Sequence, residues 1–324
     1  MTRTRAYRAG RLEAEGFPVA DISDWLARPD TVVWLDHCLS DGDDLGDVAE
    51  EFGLHHLAVE DALNERQRPK LDRYDSHLFL AAYAVGLDPT TSELHSSEIA
   101  VFVLERALIT VRKDERLDID EVVARWDGSE QLAGHGVAFL LYGLLDYIVD
   151  GHFQAVQDLD EAIETVEDLL FEEHQDQIQL VQRRSFELRK SLVILRRLVL
   201  PMREVVNALL RRDLHVVEGD MVPYYQDVYD HVLRATEWTE SLRDLITSIL
   251  ETNLTIQGNR MNLIMKKVTS WAAIIAVPTA ITGFYGQNLP YPGFGKESGL
   301  IFSSGLIVGL AGALYWAFRR WDWI

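Results

Sequence analysis

Residues 268–324 read VTSWAAIIAVPTAITGFYGQNLPYPGFGKESGLIFSSGLIVGLAGALYWAFRRWDWI. Two apolar runs, 268–285 and 300–318, flank a short loop rich in Gly and Pro, and neither run contains Asp, Glu, Lys or Arg. Each approaches the ~20 residues that a helix rising ~1.5 Å per residue needs to cross a ~30 Å hydrocarbon layer. A buried hairpin of a soluble protein would share this composition, but the flanks argue for a bilayer. Arg260, Lys266 and Lys267 precede the first run, Arg319 and Arg320 follow the second, and the loop holds one Lys and one Glu. Basic residues concentrate on the cytoplasmic side of membrane spans, so both termini are expected in the cytoplasm and the loop outside. Tyr285, Tyr291, Tyr315, Trp316, Trp321 and Trp323 stand near the expected interfaces, where amphipathic rings anchor.

Working outward, a chain of 324 residues leaves room for one or two further domains. Its 52 acidic and 31 basic residues give a net charge of −21, which opposes nucleic-acid binding and favours cations as partners. The single cysteine, Cys38, allows no intrachain disulfide and fits a cytoplasmic body. The opening MTRTRAYRAGRLEAEG is polar and lacks the apolar centre of a signal peptide, so insertion is expected to rest on the C-terminal hairpin.

Residues 1–133 predict an α/β domain with a mixed or parallel sheet. The β-branched run at 31–35 reads as a strand, as do 77–85, 98–104 and 107–111, with a turn in LDPTTSE around Asp88. Three- and four-residue apolar spacing predicts helices over 43–51, 55–65 and 115–126. No Gly-rich phosphate loop, Ser nucleophile elbow or paired Cys ligands occur there. Adjacent residues of a helix point about 100° apart, so His55 and His56 are not read as a joint metal site. Residues 134–267 predict a long-helix domain. One helix covers 135–173 with a break near 175–177, a second covers 179–212, and a third starts near Pro223 and enters the first membrane run. Continuous to Tyr285, the third helix has about 60 residues and a length of ~90 Å, the dimension of a stalk packed against neighbours or copies of itself.

Steps of three and four residues along this third helix pass through Asn262, Met265, Thr269, Ala272, Ala276, Thr279, Gly283 and Gly286. The seam is small or weakly polar. Such a stripe suits close helix packing in a membrane. It equally suits a water-filled cation path when several copies surround an axis. Pro278 removes one backbone donor in mid-membrane. Gly286 then allows the helix to turn, and Asn288 would present an amide oxygen at the outer mouth. A neutral ring of such oxygens could hold Mg²⁺ through its waters, because that ion dehydrates reluctantly.

Taken together, Asn262, Met265-Lys266, Thr269, the Pro278 region and Tyr285-Gly286-Gln287-Asn288 resemble the CorA family of divalent-cation channels. The segments RRLVLPMREVVNALLRRD, YYQDVYDH and LRDLITSILE, and RPKLDRYDSHLFL further upstream, carry the resemblance over most of the chain. It implies a funnel-shaped homopentamer with an α/β cytoplasmic domain, a helical stalk and two transmembrane helices per subunit, of which the first lines the pore. The signature of the family is Tyr-Gly-Met-Asn. Here Gln287 replaces the Met while Asn288 is retained, a change that bears on ion preference. The proline also stands one position later relative to Asn288 than in the common pattern. The zinc-transporting branch departs at the same motif, so Zn²⁺ stands beside Mg²⁺, Co²⁺ and Ni²⁺ as a cargo.

The resemblance also implies a gate, in which Mg²⁺ bound between cytoplasmic carboxylates of neighbouring subunits holds the pore shut. Ungapped matching places them at Asp227 and Asp88, with Glu251 at another acidic position on the stalk. A bridging ion would relieve the repulsion of facing carboxylates. Solvated surface acids would look the same in so acidic a chain, and residues 158–173 read mainly as a solvated face and secondarily as an internal ion-attracting vestibule. The metal-contacting set expected is therefore Asn288, Gly286, Thr279, Asn262, Asp227, Asp88 and Glu251, in a multi-pass protein of the cytoplasmic (inner) membrane. The alternative is a membrane-anchored sensor whose hairpin is only a tether. No nucleophile–base pair or closed ligand set marks an enzyme.

Overall fold

The computed structural model describes residues 2–39, 44–64, 67–129, 131–170, 175–211, 214–287, 290 and 293–324. Contacts divide the chain into two compact units, Met1–Ile249 and Leu250–Ile324.

The first unit is built on a seven-stranded sheet of order β2-β1-β3-β7-β6-β5-β4. The strands are β1 (Thr2–Arg8), β2 (Arg11–Glu15), β3 (Thr31–Cys38), β4 (Lys70–Arg73), β5 (Leu78–Leu87), β6 (Leu94–Val103) and β7 (Ala107–Arg112). The sheet is mixed: β3 and β7 run parallel, in register Val33↔Ala107, and every other pairing is antiparallel. The central strands are apolar on both faces because both faces are covered. Trp34, Leu80, Ile99, Val101 and Leu108 pack toward the long helices. Val33, Leu35, Phe79, Phe102 and Ile109 pack beneath α1 (Ile22–Leu26), α2 (Gly46–Phe52) and α3 (His56–Leu63).

The N-terminal hairpin β1–β2 was not anticipated from the sequence. Its strand positions are filled by arginines rather than by an apolar alternation, and Arg5 is buried by a two-pronged pair with Asp127 at 2.9 and 3.1 Å. Helix α4 (Ile119–Gly128) begins four residues later than expected, because Asp118 caps it by accepting from the Asp120 and Glu121 amides. His55 is not inside α3 but is its N-cap, and its ring stacks on His56 at 4.5 Å.

Three long helices follow, α5 (Val137–Leu170), α6 (Gln175–Leu209) and α7 (Val222–Tyr285). The break expected near 175–177 borders residues outside the described set, and α6 already begins at Gln175. Within the first unit each helix buries a stripe at three- and four-residue spacing. Leu141, Leu145, Ile148, His152, Val156, Leu159 and Ile163 come from α5, and Leu188, Leu192, Leu195, Val199 and Met202 from α6. Tyr225, Val228, Val232, Ala235, Leu242 and Ile246 come from α7. Fully burying one such aliphatic side chain is worth about 1.5–3 kcal/mol, which explains why sequences this polar outside hold these helices together. The Tyr225 hydroxyl donates to the Ala138 carbonyl at 2.9 Å and ties the first turns of α7 and α5 together.

In the second unit, α7 from Leu250 onward packs against α8 (Glu297–Arg320). These are the two helices long and apolar enough to cross a membrane among the described residues. Ser270 is fully buried between them, and Ala273, Ile274, Val277, Pro278 and Ile281 are half-buried. Trp271 meets Tyr315 across the pair, with ring centroids 6.4 Å apart. Ile275, Leu300, Ile301 and Val308 lie exposed on the outside, a surface suited to hydrocarbon rather than to water. The loop closes where Gly293 and Gly299 touch, since a Cβ on Gly299 would collide with the Gly293 carbonyl oxygen.

Candidate functional site

From Ala272 to Gly283 the seam lies on the side of α7 that α8 leaves uncovered. Asn262, Met265, Thr269, Ala272, Ala276, Thr279, Gly283 and Gly286 are all exposed in the single chain, whereas Ser270, Ile274, Val277 and Ile281 take the covered side. Close packing of the hairpin is therefore served by other residues, and the small, oxygen-bearing stripe remains open. The Thr279 hydroxyl donates to the Ile275 carbonyl at 3.0 Å, and that of Thr282 to the Pro278 carbonyl at 2.8 Å. With its proton committed to the helix, the Thr279 hydroxyl presents lone pairs outward, the polarity that water around a cation would meet. Helix α7 runs unbroken through Pro278.

At its end, Tyr285 is the last helical residue and Gly286 donates its amide to the Thr282 carbonyl at 2.8 Å. A Cβ at Gly286 would stand 2.9 Å from that same oxygen, so the turn requires glycine. Asn288, expected at the outer mouth, lies outside the described residues. At the other end of the seam, Asn262, Met265, Lys266 and Thr269 line a cavity of about 520 Å³ together with Trp323.

The carboxylates differ in how they are held. Asp88 sits at the β5–β6 turn, where its Oδ1 accepts from the amides of Thr91 and Thr90, each at 2.8 Å. These two backbone donors hold its pKa below the usual carboxylate value. The turn is clamped to α6 by Ser191, whose hydroxyl donates to the Ser92 carbonyl at 2.7 Å and accepts from the Leu94 amide at 3.3 Å. Asp227 projects from the beginning of α7 with 62% of its side chain exposed, and His231 Nε2 lies 3.9 Å from its Oδ2. Close by in charge terms, Asp146 and Asp150 of α5 share one nitrogen of Arg125, at 3.0 and 2.8 Å. Burial, then Asp150, pushes the Asp146 carboxyl above the usual range. Glu251 is exposed on the part of α7 that belongs to the second unit. Among the described residues, no three His, Cys, Asp or Glu side chains of one chain converge to hold a metal.

The family model described as "CorA-like Mg2+ transporter protein" matches residues 29–320. The chain belongs to that family. It is 31% identical over 245 residues to the cobalt/magnesium transport protein CorA of Thermotoga maritima, covering 75% of this chain and 69% of that protein. It is 24% identical over 296 residues to CorA of Methanocaldococcus jannaschii, covering 90% and 92%. The complete structure of the latter magnesium transporter has the same fold, with a TM-score of 0.81 over 99% of this chain and 98% of that one at 22% identity. As a CorA-like protein the chain is a divalent-cation transporter with an α/β domain, long helices and two C-terminal membrane helices.

Two features of this CorA-like chain escaped the sequence reading. Ser191 belongs to the buried stripe of α6, and nothing local signals that its hydroxyl reaches the turn holding Asp88. Trp323 reads as an interfacial anchor, whereas the chain reversal after α8 carries it to the Asn262 end of the seam.

Proposed function

We propose that copies of this chain surround a common axis, as a homopentamer in the cytoplasmic membrane, and conduct Mg²⁺ along the α7 seam. The observation that carries this reading is that the stripe from Asn262 to Gly286 is exposed in the single chain, with Ala272 to Gly283 on the side of α7 that α8 leaves uncovered. An anchor would have no use for a stripe in which seven of eight exposed positions are small or oxygen-bearing. Repeated about an axis, the stripe makes a narrow wall of hydroxyl and amide oxygens that can replace bulk water around a hydrated ion without binding it tightly. Asn288 stands at the outer mouth in this arrangement, with Gln287 beside it, and the ion enters still carrying its water shell. Both termini lie in the cytoplasm, and the membrane potential drives entry.

Asp88, Asp227 and Glu251 supply the internal control. Asp88 is presented by a clamped turn and Asp227 by a solvent-facing helix start, so each reaches outward from its own chain. Mg²⁺ bridging them between neighbours ties the subunits while internal ion is plentiful and releases them when it is scarce. Co²⁺, Ni²⁺ and Zn²⁺ satisfy the same oxygen-lined path, and their order is set by hydration.

The test is ion flux into liposomes carrying the full-length protein, with Mg²⁺, Co²⁺, Ni²⁺ and Zn²⁺ in turn. Asn288→Ala is expected to abolish uptake with assembly intact, and undiminished flux would remove Asn288 from the mouth. Asp227→Ala is expected to need more internal Mg²⁺ for inhibition, and an unshifted midpoint would remove Asp227 from the gate.

A further inference from the structure

Helix α8 does not run on past Arg320 but is turned back. The Trp321 amide donates to the Ala317 carbonyl at 3.1 Å and the Trp323 amide to the Phe318 carbonyl at 2.9 Å, with Asp322 in the left-handed region at φ 55°. That conformation is uncommon for a non-glycine residue, and Asp is among the few that take it. Here the indole of Trp323 stacks on Phe318 with centroids 5.6 Å apart and planes 10° from parallel, and Trp321 lies 6.3 Å from Trp323. The reversal places Trp323, half-buried, in the wall of the cavity that Asn262, Met265, Lys266 and Thr269 also line. Arg319 fastens the preceding turn through the Tyr315 hydroxyl at 3.3 Å, and Tyr315 in turn meets Trp271 of α7.

We propose that Trp323 is a positioning residue of the ion path, a rigid wedge that sets the width of the seam at its Asn262 end. This rests on the reading of the seam as the path. The chemistry favours a wedge over an anchor. Met265 is unbranched and repacks easily, and Asn262 and Thr269 are short, so these three do not fix a diameter by themselves. A stacked indole has few rotamers and a large flat face, and it shares their cavity wall. The backbone turn and the Phe318 stack hold that face in place, so the width at this level is inherited from α8 rather than from α7 alone.

The experiment uses full-length protein in liposomes and compares flux of Ba²⁺, a larger divalent ion, with that of Mg²⁺. Trp323→Ala is expected to raise the Ba²⁺-to-Mg²⁺ flux ratio about ten-fold, the change that ~1.4 kcal/mol in a barrier produces. Trp323→Phe, which keeps a ring to stack on Phe318, is expected to stay near the unsubstituted ratio. In a Cys38→Ser background, Trp323→Cys is expected to be permissive, and labelling it with an aromatic maleimide to restore discrimination. That pair reads bulk at one position in the same folded protein, and it decides the matter if Trp323→Ala does not assemble. An unchanged ratio in Trp323→Ala, or no effect of labelling, while Ala276→Leu blocks flux, overturns the wedge and leaves the path standing. If Ala276→Leu also leaves flux untouched, the path itself is wrong and the wedge falls with it.

Discussion

Arg112 and Asp36 form a two-pronged ion pair inside the sheet, with Nη2 2.7 Å from Oδ2 and Nε 3.1 Å from both carboxylate oxygens. Asp36 is wholly buried and Arg112 nearly so. Thr110 adds a hydroxyl donor to Asp36 Oδ1 at 2.8 Å and itself accepts from the Trp34 indole at 3.2 Å. The network spans β3 and β7, the parallel pair of an otherwise antiparallel sheet. It links two strands that no hairpin connects.

Removing one partner should therefore be worse than removing both. Asp36→Ala strands a buried guanidinium and is expected to cost about 3–5 kcal/mol. Asp36→Leu with Arg112→Met should recover most of that loss. Thermal melting of the full chain in detergent reads both, and a double variant less stable than Asp36→Ala would contradict the account.

His152 offers a pH signature. It is completely buried in α5, its Nε2 donates to the Tyr83 carbonyl at 2.7 Å, and burial lowers its pKa from 6.5 to about 4. Between those two values the unfolded chain binds a proton at His152 that the folded chain refuses, so stability falls as the pH drops through that window. The expected loss is on the order of 3 kcal/mol at ~1.36 kcal/mol per pKa unit. His152→Gln keeps a donor for Tyr83 and should flatten the fall in melting temperature between pH 6.5 and 4.

The clamp on the Asp88 turn is testable at Ser191. Ser191→Ala removes the partner of a buried Leu94 amide and frees the turn, at a cost of about 1–3 kcal/mol. Inhibition by internal Mg²⁺ should then require a higher concentration. A shifted melting point with an unmoved inhibition midpoint would separate Asp88 from control.

Side-chain size along the seam should matter more than hydrophobicity. Ala276→Leu, on the open face of α7, is expected to cut Mg²⁺ flux at least about ten-fold, a barrier increase of ~1.4 kcal/mol or more. Ala313→Leu makes the same change at an exposed position of α8 and should leave flux unchanged. Equal effects at both positions would mean that bulk anywhere in the hairpin disturbs assembly.

The long elements were legible because their signals are local and repeated. Helix α7 was expected from about Pro223 to Tyr285 and is found at Val222–Tyr285, since its stripe of apolar residues continues through Gly258 and Pro278. The central strands were legible as apolar runs, although β6 starts at Leu94 rather than near Glu98 and β5 extends to Leu87. The N-terminal hairpin was not legible, because Arg5 is buried by a carboxylate 122 residues away that no window of sequence contains. The three- and four-residue steps of the α7 stripe were readable from spacing alone. The stripe's free orientation was not, because that depends on which face α8 covers. The turn at Asp88 was visible in LDPTT, but the hydroxyl that secures it comes from α6.

Gly293 and Gly299 touch so closely that neither tolerates a side chain without shifting its neighbour, and the exposed seam residues would be limited in size by neighbouring copies on the proposed reading. Under random mutation these two sets should diverge from the lipid-facing side of α8. A saturation library grown where survival requires ion uptake should keep Gly299, Ala272 and Ala276 nearly fixed while Ile301 and Val308 wander among Leu, Ile, Val and Phe. With that outcome, evolutionary drift in this hairpin would be steered by steric allowance at a few positions, its hydrophobic bulk being free to change.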